Sequence, residues 1–168
     1  MAQKSLKNCT VTIKDGGSNS IELKLGEGTI TWNEKRTIEY TLNRGKVGSA
    51  DGGATREGDD QPLEVSFDLI FEYWKSTGSE NATPVEALKK EGAAATWDTT
   101  DTDDPCAPYC VDIEIEYDPE CGNNITNPIE TITIPRFRYE SISGDISAGT
   151  LSVSGTCGAT SITSVRSA

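Results

Sequence analysis

From Leu63 to Tyr73 the sequence alternates without a break. Leu63, Val65, Phe67, Leu69, Phe71 and Tyr73 fall on one face of an extended chain, against Glu64, Ser66, Asp68 and Glu72 on the other. Side chains of a strand point to opposite faces in turn, so this period of two marks a strand with one buried side. The run is long for a strand. Its polar face also carries Ile70 and Trp74, as expected of a half-buried strand that later meets a second partner.

Shorter runs of the same kind precede and follow it. Val11 and Ile13 share a face before a turn at Asp15-Gly16-Gly17. Ile21, Leu23 and Leu25 alternate with Glu22 and Lys24, and Gly26-Glu27-Gly28 is expected to turn the chain again. Ile30 and Trp32 follow, then Ile38, Tyr40 and Leu42. Further on, Val111, Ile113, Ile115 and Tyr117 alternate with Asp112, Glu114, Glu116 and Asp118. A break from Asp118 to Asn124 separates these from Ile132 and Ile134. Pro135 marks an edge or bulge, after which Phe137 and Tyr139 continue on the opposite parity. Leu151 and Val153 make a last strand, and the polar end from Gly158 is expected to be loosely held.

One helix is expected, over residues 84–91. Thr83 is placed to cap it, Pro84 suits its first position, and Glu86 completes a Thr-x-x-Glu capping box. Gly92 is placed to end it, and Val85 and Leu88 give one short apolar stripe. Between Asn43 and Pro62 the apolar signal vanishes, which predicts a long extended loop over about residues 43–62, of the kind that is functional or ordered only on docking. The fold expected is mainly β: one domain over residues 1–168, a β-sandwich or partly closed barrel with one short α-helix. Abundant Gly, Ser and Thr, with 35% hydrophobic residues, fit short strands joined by turns better than a helical bundle.

Charge and chemistry exclude more than they assign. Fifteen Lys and Arg against 27 Asp and Glu give a net charge of -12, a surface that repels phosphate and anionic lipid. It suits a protein past which nucleic acid must move without sticking, and equally one that is simply soluble. The start of the chain has no apolar signal region and no stretch approaches membrane-spanning length, so synthesis and retention in a cytoplasm is the expectation. Glycosylation-type triplets at Asn8, Asn81 and Asn124 are then chance matches.

The sequence contains no His, which removes the commonest general base, nucleophile partner and metal ligand. The carboxylates lie in runs or on the polar faces of strands, where they read as solvated charge rather than as a catalytic pair. No enzyme activity and no cofactor are expected. Asp98, Asp101, Asp103 and Asp104 carry oxygens that calcium accepts, but lack the Gly and terminal Glu of an EF-hand loop. Cys106, Cys110 and Cys121, with Cys157, have the wrong spacing for a structural zinc site, and buried or idle thiols are expected. Trp32, Trp74 and Trp97 lie on separate segments and read as core or interface anchors rather than a sugar-stacking platform.

Several stretches, in order, resemble a bacteriophage tail tube protein, the major tail protein of long-tailed phages. They are Glu34 to Gly45 (EKRTIEYTLNRG) with the long Gly/Asp-rich loop after it, Pro62 to Asp68 (PLEVSFD) and Pro84 to Leu88 (PVEAL). Pro108 to Asp118 (PYCVDIEIEYD), Pro135 to Glu140 (PRFRYE) and Ser143 to Gly155 (SGDISAGTLSVSG) continue the series. The resemblance covers most of residues 34–157 and is a pattern of strands and turns without a catalytic signature.

It implies a structural virion protein that assembles into rings, usually hexameric, stacked into a tube. The inner strands of neighbours would join into a barrel around a lumen for DNA, which passes without specific binding. The implied partners are further copies, the tape measure, the tail tip or baseplate and the terminator, with no membrane. The implied location is the virion tail, assembled in the host cytoplasm.

On this reading Asp112, Glu114 and Glu116 are candidates for the lumen face, because their alternation opposes a buried apolar set. Arg44, Lys46, Asp51, Arg56, Glu57, Asp59 and Asp60 are candidates for a loop that reaches the adjacent ring. Other readings remain open: a tail terminator or secretion-system tube protein, which shares the fold class, and a secreted carbohydrate-binding or adhesin-like β-sandwich.

Overall fold

The computed structural model of the chain describes residues 9–23, 25–46, 52–70, 82–118 and 128–167. Expectations for Asn8, Asp51, Phe71, Tyr73, Trp74, Asn81, Cys121 and Asn124 lie outside these residues. The fold is mainly β, with one short α-helix, and its described strands do not close a barrel.

The first hairpin joins β1 (Cys9–Lys14) to β2 (Ser20–Leu23). Val11 pairs with Leu23 and Ile13 with Ile21, so four apolar side chains share one face, and all four are buried. β3 (Leu25–Asn33) departs from expectation. Gly26-Glu27-Gly28 does not turn the chain; the strand runs on, and its register against the next strand shifts between Leu25 and Ile30. Extra residues in one strand of a pair are absorbed as an irregularity of the ladder, and glycine is the residue that tolerates it.

The expected loop over residues 43–62 is partly a hairpin. β4 (Ile38–Thr41) pairs with β5 (Ala54–Glu57), Ile38 opposite Glu57 and Tyr40 opposite Thr55. Beyond β4 the chain makes a tight turn, with Asn43 and Lys46 exchanging backbone hydrogen bonds of 3.0 and 2.9 Å. Arg44 and Gly45 take φ of 50° and 77° there, the left-handed pair that a two-residue hairpin turn requires. The apolar signal is weak because this arm buries neither face: every residue of β4 and β5 is exposed.

β6 (Leu63–Ile70) follows the sequence pattern, with Leu63, Val65, Phe67 and Leu69 buried. The helix α1 (Pro84–Lys89) carries its capping box: Thr83 Oγ1 accepts from the Glu86 amide at 3.2 Å, and Glu86 Oε2 accepts from the Thr83 amide at 3.0 Å. It ends earlier than expected, at a left-handed Lys90, and Gly92–Ala94 forms a separate 3-10 turn. Ala87, Leu88 and Trp97 join the core, and the Tyr109 hydroxyl donates to the Ala87 carbonyl at 3.0 Å.

β7 (Val111–Tyr117) buries Val111, Ile113 and Ile115 as expected. β8 (Glu130–Asp145) is the spine of the fold. Its first half pairs with β7 and its second half with β9 (Thr150–Cys157), the changeover falling at Phe137. The expected bulge is there: the register with β7 shifts between Val111 and Ile113, opposite a stretch in which Arg136 has φ 54°. A second shift separates Tyr139 from Ser141. Bulges bend a strand and let it serve two half-sheets.

The end expected to be loose is ordered as β10 (Thr163–Arg166), paired with Thr133 to Glu130 of β8. Its lack of burial hid it: all four residues are exposed, and the backbone ladder holds them, with the Ser164 hydroxyl donating to Glu130 at 3.0 Å.

The strands form one antiparallel sheet in the order β2-β1-β7-β8-β9-β6-β3, with β10 also on β8. The sheet folds about β8 so that both halves feed one core. Phe67 of β6 and Phe137 of β8 meet at 5.7 Å between ring centroids, tilted by 53°, a favoured aromatic geometry.

Candidate assembly surfaces

The half-sheet β8–β9–β6–β3 has one apolar face in the core and one polar face outside. Its ladder aligns Thr31, Ser66, Ser154 and Ser141 in one row. Asn33, Glu64 and Thr156 lie in the next, and Asp68, Ser152 and Ser143 in the row on the other side. Hydroxyls and acids are knitted across strands. Thr31 and Ser66 hydroxyls lie 2.8 Å apart, Ser152 donates to Asp68, and the Thr156 hydroxyl donates to Glu140 at 3.0 Å. Lys35 meets Glu64 at 2.8 Å, and the Lys35 hydrogen bond and charge hold the Glu64 carboxyl below the usual range.

Two edges flank this face. Among the described residues no strand pairs with the far side of β3, and β7 leaves β8 at Phe137, so residues 138–145 have β9 on one side alone. Trp32 and Tyr139 stand at these edges in the same row, paired through Val65 and Gly155, and are 37% and 39% exposed. Proteins usually blunt such edges because unpaired backbone groups recruit further strands.

The three acids of β7 lie on the outer face of the other half-sheet. Glu114 is paired with Lys14 at 2.7 Å, and Asp112 accepts from the Arg136 amide at 2.9 Å, fixing the bulge. Glu116, exposed, lies between Thr10 and Thr131. They share a face, but two of them are committed within their own copy.

The arm β4–β5 brings together most of the loop candidates. Arg56 meets Glu39 at 3.0 Å and Glu57 meets Arg36 at 2.6 Å. Arg44 and Lys46 lie at its turn, while Asp59 and Asp60 line a cleft at its root with Lys35, Arg36 and Thr160.

The acidic segment after Trp97 is not a solvated loop throughout. Asp101 is buried and accepts from Arg138 at 2.7 Å, while Arg136 meets Asp103. The Arg138 hydrogen bond, with the charge of Arg136, holds the Asp101 carboxyl below its ordinary range against the opposing effect of desolvation. Asp101 lies 35 and 37 residues from Arg136 and Arg138, a separation that carries no sequence signal of their contact. Among the described residues Asp15 is the other buried acid. Desolvation raises it, but bonds from the Asn19 side chain and from the backbone of Asp98, Asn19 and Gly17 outweigh this and leave it lowered.

Among the described residues no group of three or more Cys, Asp or Glu is placed to hold a metal ion. Cys110 and Cys157 are buried and Cys106 is exposed. Trp97 is buried in the core. No described helix is long and apolar enough to cross a membrane. No family model and no curated protein sequence matches the chain.

Proposed function

We propose that the chain is a structural protein of the tail-tube kind: copies join side by side through β3 and the second half of β8, close into rings, and the rings stack into a phage tail tube for DNA. The observation that carries this reading is the half-sheet β8–β9–β6–β3, with its polar outer face and two edges that no strand pairs with among the described residues. Neither edge segment, 25–33 or 138–145, contains a proline, the residue that most directly blocks strand addition.

Edge pairing satisfies the free backbone groups of both copies at once. If six copies each contribute four strands, the wall has ~24 strands, well beyond the 16–18 that already leave an aqueous channel. The lumen wall in this reading is the Glu64, Asp68 and Glu140 face with its serines and threonines. Asp112, Glu114 and Glu116 belong to the opposite half-sheet and face outward. Like charges ~4 Å apart repel by about 1 kcal/mol in water, and salt screens this over roughly 10 Å. Such a wall keeps DNA from adhering without blocking its passage. The tape measure, terminator and tail tip are the partners such a tube requires.

Hydrogen exchange tests the contact. Amides of residues 138–145 and 30–33 should exchange quickly in dissociated copies and slowly after assembly. Unchanged exchange at both edges on assembly counts against lateral pairing.

One feature supports a second reading as a carbohydrate-binding module. Trp32, 37% exposed at the edge, is among the residues that line a shallow groove of about 350 Å³ with Asn33, Glu64, Glu140 and Thr156. Oligosaccharides that shift Trp32 fluorescence would favour it; no shift at millimolar sugar would remove it.

A further inference from the structure

The two half-sheets end differently. In β8–β9–β6–β3 the outermost strand, β3, has nine residues, and at the other side β8 is open over residues 138–145. The other half-sheet, β2–β1–β7–β8, is bounded among the described residues by β2 and β10, of four residues each. Each of these short strands carries one charged residue, Glu22 and Arg166, and both are exposed. Short, charged edges discourage strand addition, whereas long ones template it. One half-sheet thus offers long edges, and the other short, charged ones.

β10 is what shortens that second boundary. It contributes no residue to the core, whose last apolar contact before it is Ile162, and all four of its residues are exposed. Its pairing with residues 130–133 of β8 holds it, and the Ser167 amide extends the ladder by donating to the Ile129 carbonyl at 3.0 Å. A strand that buries no apolar surface gains nothing from the hydrophobic effect. What β10 does is occupy the backbone groups of β8 that face away from β7. Without it, β8 would present those groups from residue 130 up to Phe137, where β9 takes over the same side.

We infer that β10 is a guard strand: it closes the first half of β8 against β3 of a second copy, and so confines strand addition to β3 and residues 138–145. This rests on the lateral pairing proposed above and names the device that restricts it to one half-sheet. A copy with two joining edges can close into a ring, whereas a third edge makes growth branch. The guard needs no core contact to do this, because a backbone ladder is all that an edge requires.

The test is the full chain with Ser164→Pro/Val165→Pro, which removes two backbone donors of β10 at exposed positions. Circular dichroism checks that the variant is folded. In dilute solution the amides of residues 130–133 that face β10 should exchange quickly in the variant and slowly in the natural chain. As concentration rises they should become protected again in the variant, because the edge of another copy takes the place of β10. Electron microscopy and sedimentation should then show branched, irregular particles that the natural chain does not form. The inference is overturned if those amides stay slow in the dilute variant, since β10 then does not hold the edge. It is equally overturned if they stay fast at every concentration, since the opened β8 then recruits no partner. Absence of rings from the natural chain would remove the tube reading alone; renewed protection at 130–133 in the variant would still bear out the guard.

Discussion

The Arg138 guanidinium donates to Asp101 at 2.7 Å, and its Nε donates to the Pro108 carbonyl at 3.0 Å, tying the acidic segment to the strand that joins both half-sheets. Arg136, two residues earlier at the bulge, adds its charge 3.8 Å from the same carboxylate. Removing one partner of a buried, charge-assisted bond leaves the other uncompensated. Asp101→Asn should therefore lower the thermal midpoint more than Asp104→Asn in the same segment. Equal midpoints would show that the segment is held by its backbone alone.

Asp15 governs how the fold meets acid. Its carboxylate receives four hydrogen bonds that hold the β1–β2 turn and the segment after Trp97. Its folded pKa lies below its ordinary value, so its contribution is complete above about pH 4 and is lost as pH falls through the folded value. Asp15→Asn should cost about 2 kcal/mol at pH 7 and flatten the loss of stability as pH falls below about 4. Urea titrations across that range measure both effects; an unchanged pH profile contradicts the assignment.

The helix cap is a smaller, local contribution. Thr83→Ala removes the acceptor for the Glu86 amide and should cost about 1 kcal/mol, read from chemical denaturation. A similar loss is expected from no exposed threonine of β10, so Thr163→Ala serves as the control.

Gly155 sits where the β8 bulge approaches β9, and a side chain there would overlap the Arg138 carbonyl oxygen. Gly155→Ala should destabilise by about 1–3 kcal/mol, as overpacking does. A neutral substitution would mean that the two strands can separate at the bulge without loss.

Burial pushes the Cys157 thiol up to about 12, with the charge of Asp112 adding to it, so little thiolate exists near neutral pH. Cys106 is exposed. Maleimide labelling at pH 8, read by peptide mass spectrometry, should modify Cys106 in the native protein and Cys157 only with unfolding. Rapid native labelling of Cys157 contradicts this.

The strands that bury one face were legible, because a period of two fixes which side chains enter the core: Val11, Leu63 to Leu69, Val111 to Ile115 and Leu151 all went where alternation put them. The capping box at Thr83 and the bulge after Pro135 were legible as local chemistry. What failed to show were elements held by backbone ladders without burial, β5 and β10, since polar exposed strands have the composition of loops. Gly26 and Gly28 resemble a turn in the sequence because glycine marks both turns and ladder irregularities. Asp101 and Asp15 looked like surface acids, and only the fold brings Arg138 and the Asp98 amide to them. The polar face of β8, β9, β6 and β3 needed the strand order, which no local pattern contains.

Electron microscopy of the purified chain over a range of protein concentrations tests the central claim most directly. The account predicts rings with a central channel, stacking into tubes as concentration rises, with no other component present. Single copies at every concentration, confirmed by sedimentation, would contradict it.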